Sequence, residues 1–125
     1  MIRTLLLIGL GGGIGSILRY LTSVLVNKYF NTTFPLATFV INILGCLIIG
    51  LLLGLMDKQA WTGDNFKYFF ITGFCGGYTT FSAFANENVN LIDSNHSFMA
   101  FAYIAASVLT GLLSVWAGMV LGKSF

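Results

Sequence analysis

Gly73-Phe74-Cys75-Gly76-Gly77-Tyr78-Thr79-Thr80-Phe81-Ser82-Ala83-Phe84, followed by Ala85-Asn86-Glu87, is the stretch that decides the fold. It lies in a hydrophobic segment, yet it carries three glycines, the hydroxyls of Thr79, Thr80 and Ser82, an amide and a carboxylate. A lipid-facing helix has no use for such a set. Backbone that departs from helix at membrane depth is tolerated only where it is buried in protein or lines a polar cavity. An ionisable residue in a span marks a functional site by default. Gly73, Gly76 and Gly77 admit conformations that other residues resist, and Thr79 and Thr80 can bond locally to backbone. The stretch predicts a membrane helix broken near Gly76, whose freed carbonyl oxygens suit a hard cation, as in the discontinuous helices of transporters.

The surrounding chain agrees. Of 125 residues, 57% are hydrophobic and 8% charged, with a mean hydropathy of +0.89. An ordinary soluble domain is about 25% charged, so the chain reads as an integral membrane protein rather than a soluble helical bundle. A net charge of +2 offers no footing for nucleic acid. Cys46 and Cys75 fall in apolar spans without metal-ligand spacing and read as small buried hydrophobes. The first apolar run is long, lacks a small-x-small cleavage site and leads into the next span, so a cleaved signal is not expected. Residues 1–125 read as one transmembrane domain.

Four spans fit: about Thr4 to Val26, Pro35 to Met56, Lys67 to Ile92 and Phe98 to Leu121. At 22 to 26 residues each they reach roughly 33 to 39 Å as helix, enough to cross with some tilt. Pro35 suits the first turn of its helix. The connections are short, and the sequons at Asn31 and Asn95 read as chance matches. Arg3, Lys58, Lys67 and Lys123 share the side of both termini, against Lys28 on the other, which favours cytoplasmic termini. Four helices enclose no wide pathway within one chain, so a pathway needs a second subunit. Small-xxx-small pairs agree, at Gly9/Gly13, Gly11/Gly15, Gly50/Gly54 and Gly118/Gly122. The run Gly9 to Gly15 is not a nucleotide loop: it lacks G-x-G-x-x-G register, a Gly-Lys-Ser/Thr and a preceding strand.

Several polar residues remain. Thr38 and Asn42 share a face of the second span, where the amide serves either interhelical bonding or a ligand. Tyr103, Ser107, Thr110 and Ser114 form a hydroxyl stripe on the fourth span. Arg19 needs a carboxylate, carbonyls or water, and either pairs with Glu87 or adds positive potential to a vestibule. Phe81 and Phe84 project from one face. They either pack or line a pathway, where positive ring edges meet an anion without the tight grip of a lysine.

Together these residues resemble the Fluc (CrcB) fluoride channels over essentially the whole length. The carriers are Gly12-Gly13-Ile14-Gly15-Ser16-Ile17-Leu18-Arg19-Tyr20, Thr38-Phe39-Val40-Ile41-Asn42-Ile43-Leu44-Gly45 and the Gly73 to Phe84 stretch, the last being the specific one. The resemblance implies an all-α membrane fold of four transmembrane helices, the third broken mid-membrane, in an antiparallel, dual-topology homodimer. It implies two fluoride pores along the subunit interface and passive fluoride export across a bacterial-type inner membrane. Phe81 and Phe84 match the aromatic box and Asn42 the pore amide; Tyr103 and Ser107 begin the hydroxyl track. Thr38, Thr80, Ser82 and Thr110 are the further pore candidates. Gly76 and Thr79 match the positions whose carbonyls hold a central sodium ion. Arg19 matches the vestibule basic residue, and Glu87 the acidic residue after the motif. Two features depart from the pattern: Gly111 stands where the track has a hydroxyl, and the charge bias favours one orientation.

A proton-coupled drug exporter needs a mid-membrane carboxylate in the first span, where this chain has Arg19. A structural membrane protein leaves Thr79, Thr80, Phe81 and Phe84 unexplained. An enzyme is not expected, because His96, the one histidine, lies in a loop without a nucleophile or metal cluster. No nucleotide site is expected, and the partners are fluoride, lipid and a second copy.

Overall fold

The computed structural model describes residues 1–58 and 63–125, and among these the ordered elements are all helical. Helix α1 spans Ile2–Tyr29 and α2 spans Leu36–Lys58. Residues 64–78 form α3, which opens as an α turn at Asp64–Phe66, winds as a π-helix over Lys67–Cys75 and closes as an α turn at Gly76–Tyr78. Helix α4 spans Phe81–Asp93 and α5 spans Ser97–Ser124. Three helices, α1, α2 and α5, are long and apolar enough to cross a membrane. The connection expected from Asp57 to Phe66 includes residues 59–62, which lie outside the described residues.

The ends have local causes. Pro35 sits just before α2, and its carbonyl accepts the first helical bond from the Phe39 N–H at 3.1 Å. Asn95 holds φ 63°, a left-handed conformation that asparagine tolerates better than most residues. The following His96 N–H donates to the Leu91 carbonyl at 2.7 Å, which closes α4 as a Schellman-type cap. Asn95 is therefore the turn residue between α4 and α5.

Glycine sets how closely the helices approach. A Cβ on Gly11 would collide with the Phe69 carbonyl oxygen, and one on Gly15 with that of Phe74. Gly73 and Gly77 answer from α3 by packing on Ile8 and Gly12 of α1. In the other seam, Gly50 and Gly54 of α2 meet the Val115 and Met119 carbonyls, while Gly118 and Gly122 of α5 meet those of Leu47 and Leu51. Hydrophobic driving force is weak between helices in lipid, so close backbone packing does the work. A Cβ on Gly9 or Gly13, the remaining small pair, would meet nothing within 4 Å on another helix among the described residues.

Gly73 and Gly77 of α3 thus bring helices together rather than break one. Gly76 keeps right-handed helical angles, φ −63° and ψ −37°. The interruption falls later, at Thr79 and Thr80, whose extended ψ values are 158° and 120°. Both are β-branched residues at ease in extended backbone. An aromatic cluster of Phe34, Phe39, Phe84 and Tyr103 packs beside α4 against buried Leu91 and Ala100, with Phe84 and Tyr103 edge to face at 5.0 Å.

Candidate functional site

The interruption at Thr79–Thr80 leaves backbone groups without helical partners, and side chains take most of them. Asn42 on α2 grips residue 80 at two points. Its Oδ1 accepts from the Thr80 N–H at 2.9 Å, and its Nδ2 donates to the Thr80 carbonyl at 3.0 Å. Because that N–H turns to Asn42, the Gly76 carbonyl four residues back loses its helical donor. The Gly77 carbonyl accepts from Ser16 Oγ at 3.4 Å, and the Thr79 carbonyl from Arg19 at 3.3 Å. Thr79 turns its own hydroxyl to the Cys75 carbonyl at 2.9 Å. Thr80 Oγ1 caps α4 by accepting from the Ala83 N–H at 3.2 Å, and Ser82 Oγ lies 3.3 Å from it. An oxygen at this N-cap position satisfies one of the free N–H groups of the helix start.

Two helix ends of opposite polarity therefore meet at one place. The α4 start presents N–H groups and positive potential, and the α3 end presents carbonyl oxygens and negative potential. The first suits an anion, the second a hard cation. Around this point lie three concavities. A groove of about 510 Å³ is bordered by Asn42, Gly76, Thr79, Thr80, Phe81, Phe84 and Ser107. A second of about 560 Å³ holds Arg19, Thr38, Thr80 and Ser82. A third of about 350 Å³ holds Thr38 and Glu87.

Most of the sequence-predicted residues converge here. Phe81 and Phe84 lie with ring centroids 5.7 Å apart; Phe84 packs into the aromatic cluster, while Phe81 is 79% exposed. Thr38 is buried and borders the same cavity as Glu87. Glu87 Oε1, Tyr103 OH and Ser107 Oγ are buried and make no hydrogen bond among the described residues. Such groups are costly to leave bare, so they mark sites held for something else.

Two residues stand apart. Thr110 Oγ1 donates to the Ala106 carbonyl of its own helix at 2.5 Å and is satisfied there. Arg19 bonds the Thr79 carbonyl rather than Glu87, and the one ion pair among the described residues is Lys123–Asp57 at 3.3 Å. Neither Ser16 nor Thr22, which meets the Tyr78 hydroxyl at 3.1 Å, is among the sequence-predicted site residues. Their spacing on α1, with Arg19 between them, was the available signal.

Comparison with known proteins adds the family. The family model described as CrcB-like protein, Camphor Resistance (CrcB), matches residues 6–119. A protein of Flavobacterium psychrophilum named Fluoride-specific ion channel FluC is 55% identical over 121 residues, covering 97% of this chain and 98% of that protein. One of the same name from Azobacteroides pseudotrichonymphae is 44% identical over 125 residues, the whole of both chains. Another, from Methylobacillus flagellatus, is 43% identical over 119 residues, with 94% and 93% covered.

Proposed function

The chain belongs to the CrcB-like family, and from that premise we infer that it is a fluoride-selective passive ion channel, not an enzyme, in a bacterial membrane that it crosses several times. Its role is export. Hydrogen fluoride enters through lipid, ionises in the less acidic cytoplasm and leaves as fluoride.

The observation that carries the pathway is the convergence of Asn42, Thr80, Phe81, Phe84 and Ser107 on one groove at the helix interruption. Fluoride is small and strongly hydrated, so a path must replace its water with donors. Asn42 has two amide N–H groups and gives one to the Thr80 carbonyl, which leaves the other free. The buried hydroxyls of Tyr103 and Ser107 supply two more, and ring edges of Phe81 and Phe84 offer weak positive contacts. Thr38, Ser82 and Arg19 shape the approach, Arg19 and the α4 N-terminus adding positive potential. Each contact is weak enough for the ion to leave, as conduction requires. Glu87 lies where the Thr38 end of the path begins.

The working form is an antiparallel, dual-topology homodimer of four-crossing subunits, in which α3 and α4 together make the third crossing. Two features support it. Phe81 is bare in a single chain, and Gly76 is exposed with open space where a Cβ would stand. A second copy would cover both. The carbonyls of Gly76 and Thr79 would hold a sodium ion between subunits. They are hard oxygen donors, and the Gly76 oxygen has lost its helical bond. The ion would supply positive charge at depth without a mobile lysine.

The test is ion efflux from liposomes holding the purified protein. Fast fluoride efflux without chloride efflux, abolished by Phe81→Ile, is the expected result. Fluoride efflux that survives the substitution removes the aromatic box from the path. No fluoride efflux from well-folded protein refutes the channel.

A further inference from the structure

Helices α2 and α5 run parallel, and one row of contacts along their seam repeats at an offset of 65 positions: Cys46 faces Gly111, Gly50 faces Val115 and Gly54 faces Met119. The same register, continued toward the helix starts, pairs Asn42 with Ser107, which border one groove. One turn further it pairs Thr38 with Tyr103, both buried. Residues four apart on a helix share a face. The seam is therefore a ladder, and Thr38, Asn42 and Cys46 are three successive rungs of its α2 rail.

The α5 rail offers Tyr103, then Ser107, then no side chain at Gly111. A Cβ built on Gly111 would sit 3.7 Å from the Cys46 sulfur, so the thiol occupies the space beside Gly111, where the α5 rail offers no donor. The neighbouring Thr110 does not stand in, because its hydroxyl is turned to Ala106. One rung lower, a Cβ on Gly50 would strike the Val115 carbonyl, and the helices close on each other. Cys46 borders the 510 Å³ groove together with Asn42, Thr80, Phe84 and Ser107. The Tyr103 side chain is 0% exposed and its hydroxyl has no partner among the described residues; nor has the buried Ser107 hydroxyl one turn closer to Cys46.

We propose that Cys46 is a pathway-lining residue whose thiol is the anion donor on the third rung, in place of a hydroxyl at position 111. The assignment rests on the fluoride-channel function inferred above. An S–H is a weak donor, so the ion that leaves Ser107 meets a contact that guides without trapping. The rung also marks where the path leaves the α2–α5 seam, since the glycine packing beyond it admits no ion.

The experiment is fluoride efflux from liposomes for Cys46→Ala, Cys46→Ser and two double variants. Cys46→Ala should slow efflux about three- to tenfold, the range of one modest hydrogen bond. Cys46→Ser should keep the wild-type rate or exceed it. Adding Gly111→Ser to Cys46→Ala should restore transport, because a donor returns from the opposite rail. Adding Gly111→Ala fills similar space without a donor and should leave transport slow, which separates a donor from a packing role. Wild-type rates from Cys46→Ala overturn the assignment, as does equal rescue by Gly111→Ser and Gly111→Ala or rescue by neither. Wild-type protein that passes no fluoride refutes the channel itself; wild-type efflux with any of those three results refutes the assignment alone.

Discussion

Below Cys46 the α2–α5 seam is backbone on backbone: Gly50 and Gly54 lie on the Val115 and Met119 carbonyls, and Gly118 and Gly122 on those of Leu47 and Leu51. Above it the same two helices face each other through Thr38, Asn42, Tyr103 and Ser107, and the hydroxyls of Tyr103 and Ser107 are buried without a partner among the described residues. The lower half is saturated with contact and can accept no atom. The upper half keeps donors that packing has not consumed. One pair of helices thus separates cohesion from transport along its length, and the two halves should respond to substitution in opposite ways.

The largest effect belongs to the lower half. Gly118→Leu drives a side chain into the Leu47 carbonyl and the Leu51 N–H. Overpacking of this kind costs roughly 1–3 kcal/mol even where the site can relax. Here the obstacle is backbone, and no monodisperse protein should be recovered on size-exclusion chromatography in detergent. Asn42→Ala comes next and belongs to both halves of the contrast, since it removes both bonds to residue 80. It should lower the thermal unfolding midpoint and cut fluoride efflux more than tenfold, at roughly 1–3 kcal/mol for the polar groups left bare. A variant with wild-type efflux would show that the amide neither holds the interruption nor touches the ion.

Tyr103→Phe and Ser107→Ala sharpen the contrast most. Each deletes a buried hydroxyl that bonds nothing among the described residues. Removing an unsatisfied group is neutral or stabilising, so the unfolding midpoint should hold or rise while efflux falls about tenfold, a loss of function without loss of stability. A fall in midpoint with efflux intact would reverse the assignment of the upper half. The smallest effect is expected of Thr110→Val, because its hydroxyl serves the Ala106 carbonyl. Efflux should stay within about twofold of wild type, as for a surface change away from the path.

Much of this was legible in the sequence because helical spacing is rigid. Thr38 and Asn42 share a face, as do Tyr103 and Ser107, and the structure brings the two pairs to one seam. The long apolar runs fixed α1, α2 and α5 to within a few residues. The extended backbone falls at Thr79 and Thr80, not near Gly76 where the sequence reading expects a break. Glycine serves both to break a helix and to let another approach, and the letters G-F-C-G-G do not say which. Only contact with Gly12 and Ile8 assigns Gly73 and Gly77 to approach, which leaves the turn to Thr79 and Thr80. The π winding of Lys67–Cys75 has no sequence signature of its own. Cys46 reads as apolar in any hydropathy sum, although it continues the Thr38, Asn42 spacing by one more turn.

The parallel register of α2 and α5 also bears on synthesis. The rungs join residues 65 positions apart, as 46 with 111 and 50 with 115. At about 5–20 residues per second, translation takes roughly 3–13 s to deliver that length. Throughout that interval α2 waits in the bilayer with its glycine face uncovered, although its Asn42 amide finds Thr80 earlier, 38 positions on. A nascent chain stalled before α5 therefore exposes to lipid the glycine face that α5 covers in the finished protein.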